Sequence, residues 1–153
     1  MQWKPNVTVA AIAEQDGRYL LVEENADGHT VFNQPAGHLE ENETLLDAVK
    51  REVLEETAWT FHPQYLIGVY LYPSKFTDIT YLRFCFSGHC SEQDTSRKLD
   101  TDIIRSVWLT KEEIENYQEK LRSPLVLRCL YDYLTGKKYP LTILNDSLTV
   151  DPK

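Results

Sequence analysis

The chain has 153 residues, 42% of them hydrophobic and 26% charged, with a formal net charge of −8. That length and composition suit one domain that buries roughly two-thirds of its unfolded surface, so neither disulfides nor a structural metal are needed merely to fold. The acidity argues against a nucleic-acid polymer as partner, since such binding is driven by Lys and Arg, and no apolar run approaches the roughly 18 residues of a membrane span.

The three cysteines, Cys85, Cys90 and Cys129, are odd in number and lack zinc-ligand spacing. With an N-terminus that has no apolar signal segment, they lead to the expectation of free thiols in a cytoplasmic protein, either a monomer or a small homo-oligomer.

In chain order, residues 7–13 are rich in small and β-branched side chains and read as a strand. Asp16-Gly17 is a hairpin signal, residues 18–23 form the returning strand, Asp27-Gly28 is a second turn, and residues 31–34 are a short extended piece. From residue 44 to 57 the period becomes helical, with Asn42 or Thr44 as cap. Residues 65–72 and 79–87 read as strands separated by a loop that begins at Pro73-Ser74, and residues 103–109 as another. Thr110 to Glu113 has the form of a capping box opening a second helix. Ser123-Pro124 places proline at the start of a third, which ends near Gly136. Strands, helix, strands, helices is the order of an α+β protein, layered as an α/β/α sandwich rather than a regular βαβ alternation.

The first helix carries its acids on an unusual side. At about 100° per residue from Leu45, the stripe Leu45, Leu46, Val49 and Val53 spans roughly 0° to 100°. Glu52, Glu55 and Glu56 fall near roughly 340°, 280° and 20°, so they abut the apolar stripe and Glu56 lies inside it. Like charges at three- and four-residue spacing repel, and the last turns of a helix disfavour negative charge. A hard divalent cation, Mg2+ or Mn2+, compensates such a cluster and suits a phosphate ligand. Arg51, with Asp47 and Glu55 at i−4 and i+4, can brace a glutamate in its ionised form.

The run Gly37-His38-Leu39-Glu40-Glu41-Asn42-Glu43, followed after seven residues by Arg51-Glu52-Val53-Leu54-Glu55-Glu56-Thr57-Ala58-Trp59, resembles the Nudix box, G-x5-E-x7-R-E-U-x-E-E-x-G-U with U bulky and apolar. The one departure is Ala58 in place of glycine, from which a different helix exit is expected. Residues 32–40, Leu121-Arg122-Ser123-Pro124-Leu125-Val126 and Tyr139-Pro140-Leu141 are similar to a phosphatase branch of the Nudix hydrolases. The resemblance implies a Nudix fold with a mixed central sheet over residues 1–153 as one domain, with the box at 37–59. It also implies cleavage of phosphoanhydride bonds in a small phosphorylated substrate, with Mg2+ (or Mn2+) held by Glu52, Glu55 and Glu56. Glu52 or Glu55 is the expected general base, Arg51 orients a glutamate, Glu43 holds the loop-to-helix geometry, and the Gly37 carbonyl contacts a metal. An acid ahead of Trp108 is a further expected ligand, with Asp102 as first candidate and Asp100 as alternative.

The same branch implies release of phosphate from nucleoside tri- and diphosphates, and from hydroxymethylpyrimidine or thiamine pyrophosphate. Other branches act on oxidised nucleotides, ADP-ribose or dinucleoside polyphosphates, and some Nudix folds are non-catalytic regulators, although these are expected to have lost box acids. Outside the box, Arg83 sits mid-strand between Leu82 and Phe84, where an inward guanidinium is costly unless it meets an anion. Lys75 can reach phosphate from its loop, and Phe32, Tyr70 and Tyr72 can stack on a ring. His38 has proton-transfer chemistry available.

Overall fold

The computed structural model describes residues 1–145. Strand β1 (Asn6–Gln15) turns into β2 (Arg18–Ala26), and β2 into β3 (His29–Asn33). Both turns use an Asp-Gly pair with positive φ at each residue, +53° and +75° for Asp16-Gly17 and +50° and +82° for Asp27-Gly28. Such paired left-handed residues match the twist of the strands they join.

After β4 (Ala36–His38) comes α1 (Leu45–Thr57), whose first turn is capped by Thr44: its hydroxyl accepts from the Asp47 amide at 3.1 Å. Asn42 instead takes a left-handed φ of +64° in the preceding loop. Then follow β5 (Trp59–Pro73), β6 (Thr80–Gln93), β7 (Ile103–Leu109) and α2 (Lys111–Asn116), with the Thr110–Glu113 capping box closed in both directions. A short 3-10 turn, Gln118–Lys120, leads to α3 (Leu125–Leu134), β8 (Tyr139–Pro140) and a last 3-10 turn, Leu141–Ile143.

The strands follow the order β3-β2-β1-β6-β5-β8, with β4 added to β1 and β7 to β2. The sheet is mixed: β1 and β6 run parallel from Asn6↔Tyr81 to Ala13↔Gly88, and the other ladders are antiparallel. β1 pairs with β4 at Thr8–Ala10 but with β2 only at Glu14 and Gln15, so the sheet divides along β1.

Alternation along the strands builds two cores. Val9, Ala11 and Ala13 of β1, Leu20 of β2 and Phe86 of β6 pack with Ala48, Val49 and Val53 of α1. Ala10, Ile12, Tyr19, Leu21 and Cys85 face the other way, against Ile114 of α2 and Val126, Cys129 and Leu130 of α3. This is the expected α/β/α layering. Full burial of Val49 and Val53 stabilises the docking of α1 by about 1.5–3 kcal/mol each.

Three features depart from the sequence expectation. β5 begins at Trp59 rather than 65, because bulges in its pairing with β6, one of them at Pro63/Tyr65, absorb the proline. β6 runs on past Gly88, where a Cβ would fall on the His62 carbonyl and glycine lets the two strands meet. At the end of α1, Ala58 has φ +63° and ψ +7° and its amide donates to the Leu54 carbonyl. The helix exit is therefore the left-handed one that glycine would give, and alanine bears about 1 kcal/mol of strain there.

Candidate active site

The last two turns of α1 press a row of carboxylates against the loop formed by β4. Glu52 and Glu56 are only 8% and 7% exposed, which confirms that they sit on the inward side of the helix. A Cβ at Gly37 would land on the carboxylate carbon and both oxygens of Glu52. Glycine at this position is thus a steric requirement of Glu52. One turn on, an oxygen of Glu56 accepts from the Ala36 amide at 2.9 Å, so both acids are seated on the same three-residue strand.

Arg51 ties the row together. Its Nε donates to Glu43 at 2.6 Å, and one terminal nitrogen donates to Glu52 at 2.8 Å and to Glu55 at 3.2 Å. The other donates to Glu43 at 3.0 Å and to the His38 carbonyl at 2.9 Å. Glu43 also accepts from the Glu40 amide at 3.0 Å, linking the loop to the helix. The hydrogen bond from Arg51 holds the Glu43 carboxyl below its ordinary range, and the glutamates raise Arg51 in turn.

The acids carry the cost of their position. Burial pushes Glu52 up to about 7 despite the Arg51 guanidinium beside it. Burial pushes Glu56 up to about 9, with further contributions from Glu24, Glu52 and Asp100. Glu52, Glu55 and Asp100 bring one carboxylate oxygen each within 4.8 Å of one another, a set of hard oxygen donors that fits a divalent cation. The Asp100 amide donates to the Glu55 carbonyl at 3.0 Å, fixing this loop to the helix end. Asp102 is not part of the cluster: it is exposed, and its carbonyl accepts from the Asn25 amide at 2.9 Å. The acid ahead of Trp108 that meets the glutamates is Asp100.

Arg51, Glu52, Glu55 and Glu56 line a cavity of about 1220 Å³ that also receives Glu24, Asn33, Tyr72, Phe76, Arg83 and Arg122. Arg83 is 6% exposed and faces the layer of α2 and α3. It donates to Gln34 Oε1 at 3.1 Å, to Asn33 Oδ1 at 3.3 Å and to Cys129 Sγ at 3.9 Å, and no carboxylate pairs with it among the described residues. Gln34 is held in turn by donating to the Val126 carbonyl at 2.8 Å.

Phe32 and Tyr70 do not line this cavity. Phe32 is 2% exposed and packs on Tyr117, 4.6 Å between ring centroids. Tyr70 packs against the α3-side core and donates its hydroxyl to Asp132 at 2.8 Å. Of the Phe and Tyr side chains, Tyr72, Phe76 and Tyr81 line it. Lys75 is exposed between Ser74 and Phe76, which do line the cavity, and His38 lines it from β4.

Glu24, buried at 6% exposure, was not anticipated. The signal was present: by strand alternation it shares the face of Leu20, which packs against α1.

Comparison with known proteins decides the family. Residues 3–129 match the model of the NUDIX domain. The chain belongs to the Nudix family. Phosphatase NudJ of Escherichia coli K12 is 39% identical over 146 residues, covering 94% of this chain and 93% of that protein. A NUDIX hydrolase from Nitrosomonas europaea superposes with a TM-score of 0.92 at 52% identity, covering 93% of this chain and 97% of that one. A MutT protein from Methanosarcina mazei Go1 superposes with a TM-score of 0.70 at 26% identity, over 90% of this chain and all of that one, 100%. As a Nudix hydrolase the chain acts on phosphoanhydride bonds of small phosphorylated substrates, in a family that uses divalent metals. Among the described residues no helix is long and apolar enough to cross a membrane.

Proposed function

We propose that this Nudix hydrolase is a Mg2+-dependent phosphatase, with Mn2+ able to substitute. Its substrates are nucleoside tri- and diphosphates and hydroxymethylpyrimidine or thiamine pyrophosphate, and it releases orthophosphate in the cytoplasm as a single domain. The observation that carries this reading is the opposition of two walls across one cavity. On one side stand Glu52, Glu55 and Glu56, the first two clustered with Asp100; on the other stands Arg83, a buried guanidinium that no carboxylate pairs with among the described residues. A phosphate between them satisfies both, through cations on the acid side and charge-assisted hydrogen bonds on the other.

Glu52, Glu55, Glu56, Asp100 and the Gly37 carbonyl would hold the cations. Bound there, they would neutralise phosphate charge and favour deprotonation of the attacking water. Arg51 fixes the carboxylates of Glu52 and Glu55, and Glu43 fixes Arg51. Glu52 or Glu55 accepts the proton of the attacking water. Arg83 receives oxygens of the phosphate under attack, and Tyr72 and Phe76 offer apolar surface to a ring, with Lys75 beside them.

The similarity to phosphatase NudJ supports orthophosphate as product. The test is a panel of nucleoside tri- and diphosphates and pyrimidine and thiamine pyrophosphates, run with and without Mg2+, with phosphate and pyrophosphate assayed separately. Orthophosphate as the main product, in Mg2+ only, is expected. Pyrophosphate as the main product from triphosphates would move the enzyme to another Nudix substrate class.

A further inference from the structure

Among the described residues, four Arg and Lys side chains line the cavity: Arg51, Arg83, Lys120 and Arg122. Arg51 is committed to the glutamates of the box, and Arg83 is sunk in the wall. Arg122 is different. Its side chain is 45% exposed and forms one ion pair among the described residues, with Glu24 at 3.0 Å.

The backbone beneath it is fixed. The Arg122 amide donates to the Phe32 carbonyl at 2.8 Å, Leu121 forms a parallel bridge with Phe32, and Ser123 Oγ accepts from the Leu125 amide at the start of α3. Asn33, next along β3, accepts from Arg83. Adjacent residues of β3 therefore hold both arginines, Phe32 through the Arg122 backbone amide and Asn33 through the Arg83 guanidinium, one side chain deep and one at the solvent-exposed side of the cavity.

Glu24 is an uneasy partner. It is buried, it stands close enough to Glu56 to raise it, and Arg122 is its only ion-pair partner among the described residues. A carboxylate offers one negative charge, whereas a free terminal phosphoryl group offers nearly two and three acceptor oxygens. A guanidinium favours the phosphoryl group, which it can grip with two parallel hydrogen bonds.

We propose that Arg122 is a specificity-determining residue that binds the free terminal phosphate of the substrate, and that Glu24 holds its guanidinium at the cavity until such a phosphate arrives. This rests on the phosphohydrolase reading above, whose substrates all end in an unesterified phosphate, and names the residue that selects for that end. The segment that carries Arg122 is thereby a selector of phosphate charge: a capped diphosphate, with about one charge per phosphate, competes less well with Glu24.

The experiment measures kcat and KM of the Mg2+-loaded wild type and of the Arg122→Gln, Arg122→Lys and Glu24→Gln variants. The substrates are a nucleoside diphosphate and the same compound esterified at its terminal phosphate, the latter read as a competitive inhibitor where it is not turned over. Arg122→Gln is expected to raise KM for the free diphosphate about 10- to 100-fold, the effect of one charged hydrogen-bonding group. The capped compound should change by less than about threefold, within the ordinary spread of surface substitutions. Arg122→Lys should recover part of the loss. Glu24→Gln removes the competitor and should lower KM for the free diphosphate, opposite in sign to Arg122→Gln.

A merely structural ion pair would make Arg122→Gln and Glu24→Gln move both compounds in the same direction by similar amounts, and that result overturns the proposal. So does an equal loss for capped and free compounds in Arg122→Gln. Were Arg122→Gln not to fold, the Arg122→Lys and Glu24→Gln arms decide by the same signs. A wild type inactive on every phosphorylated compound would overturn the phosphohydrolase reading itself, and this inference with it.

Discussion

The two walls of the cavity are built in opposite ways. The acid wall is local: Glu52, Glu55 and Glu56 lie within one and a half turns of α1, with Arg51 cross-linking Glu43, Glu52 and Glu55. The cationic wall is assembled from a distance, with Arg83 from β6, Asn33 and Gln34 from the end of β3, and Arg122 from the connection into α3. The acid wall stores electrostatic cost, since its carboxylates are buried and crowded, and a cation relieves it. The cationic wall holds in Arg83 a charge that no carboxylate meets among the described residues, and an anion would relieve it. One wall is thus written in a single segment of the sequence and the other in three.

The comparison breaks most sharply at the acids. Glu52→Gln and Glu56→Gln are expected to lower Mg2+-dependent kcat by at least about a hundredfold and to remove the rise in Tm that Mg2+ gives the wild type. Near-normal turnover in Glu56→Gln would take that residue out of the cation-binding set. Gly37→Ala tests the same wall from below. Its Cβ displaces the Glu52 carboxylate, and a misplacement of about 1 Å costs on the order of a hundredfold in rate. Retained activity would show that Glu52 need not sit where it does.

On the opposite wall, Arg83→Met should raise KM by about 10- to 100-fold while leaving the Mg2+-induced rise in Tm intact. Loss of that rise would mean that the two walls are not separable.

The charge cost also has a pH signature. Burial raises Glu52 to about 7 and Glu56 to about 9, both above the roughly 4.3 of an unfolded glutamate. Between those values the folded, metal-free chain keeps protons that the unfolded chain has released. This contribution to stability is complete below about pH 4 and is lost as pH rises through about 7 and then 9. Melts in chelator should show Tm falling from pH 6 to 9, with Mg2+ restoring most at the upper end and Glu56→Gln flattening the upper part of the slope. A metal-free Tm that climbs over this interval would contradict the cost assigned to these acids.

The smallest effect lies at the helix exit. Ala58→Gly relieves a left-handed alanine and should stabilise by about 0.5–1 kcal/mol without altering kinetics, a shift of about 2–4 °C or less in a chain of this size.

The same contrast governs what the sequence could reveal. The acid wall was legible because helical periodicity alone places Glu52 and Glu56 beside Val49 and Val53. The layering was legible from the order of elements, and the two Asp-Gly turns from their chemistry. β4 and β8 were not, because three and two residues are too short to show a period. An aromatic side chain suits a core and a ligand site equally, so for Phe32 and Tyr70 only the packing on Tyr117 and the hydrogen bond to Asp132 show that they lie outside the cavity lining. Asp102 and Asp100 both stand ahead of Trp108, as the family resemblance asks, and only the fold, through the hydrogen bond from the Asp100 amide to the Glu55 carbonyl, brings Asp100 to the glutamates. Glu24 and Arg122 meet only through the fold, 98 positions apart in the chain.

The central claim is that the acids bind the cation and Arg83 binds the phosphate. Calorimetric titration of Mn2+ into metal-free wild type, Glu52→Gln and Arg83→Met, in the absence of substrate, tests it most directly. The account predicts that Arg83→Met binds Mn2+ like the wild type, or more tightly with one nearby positive charge removed, and that Glu52→Gln binds at least about tenfold more weakly. Equal Mn2+ affinity in Glu52→Gln and wild type would contradict it.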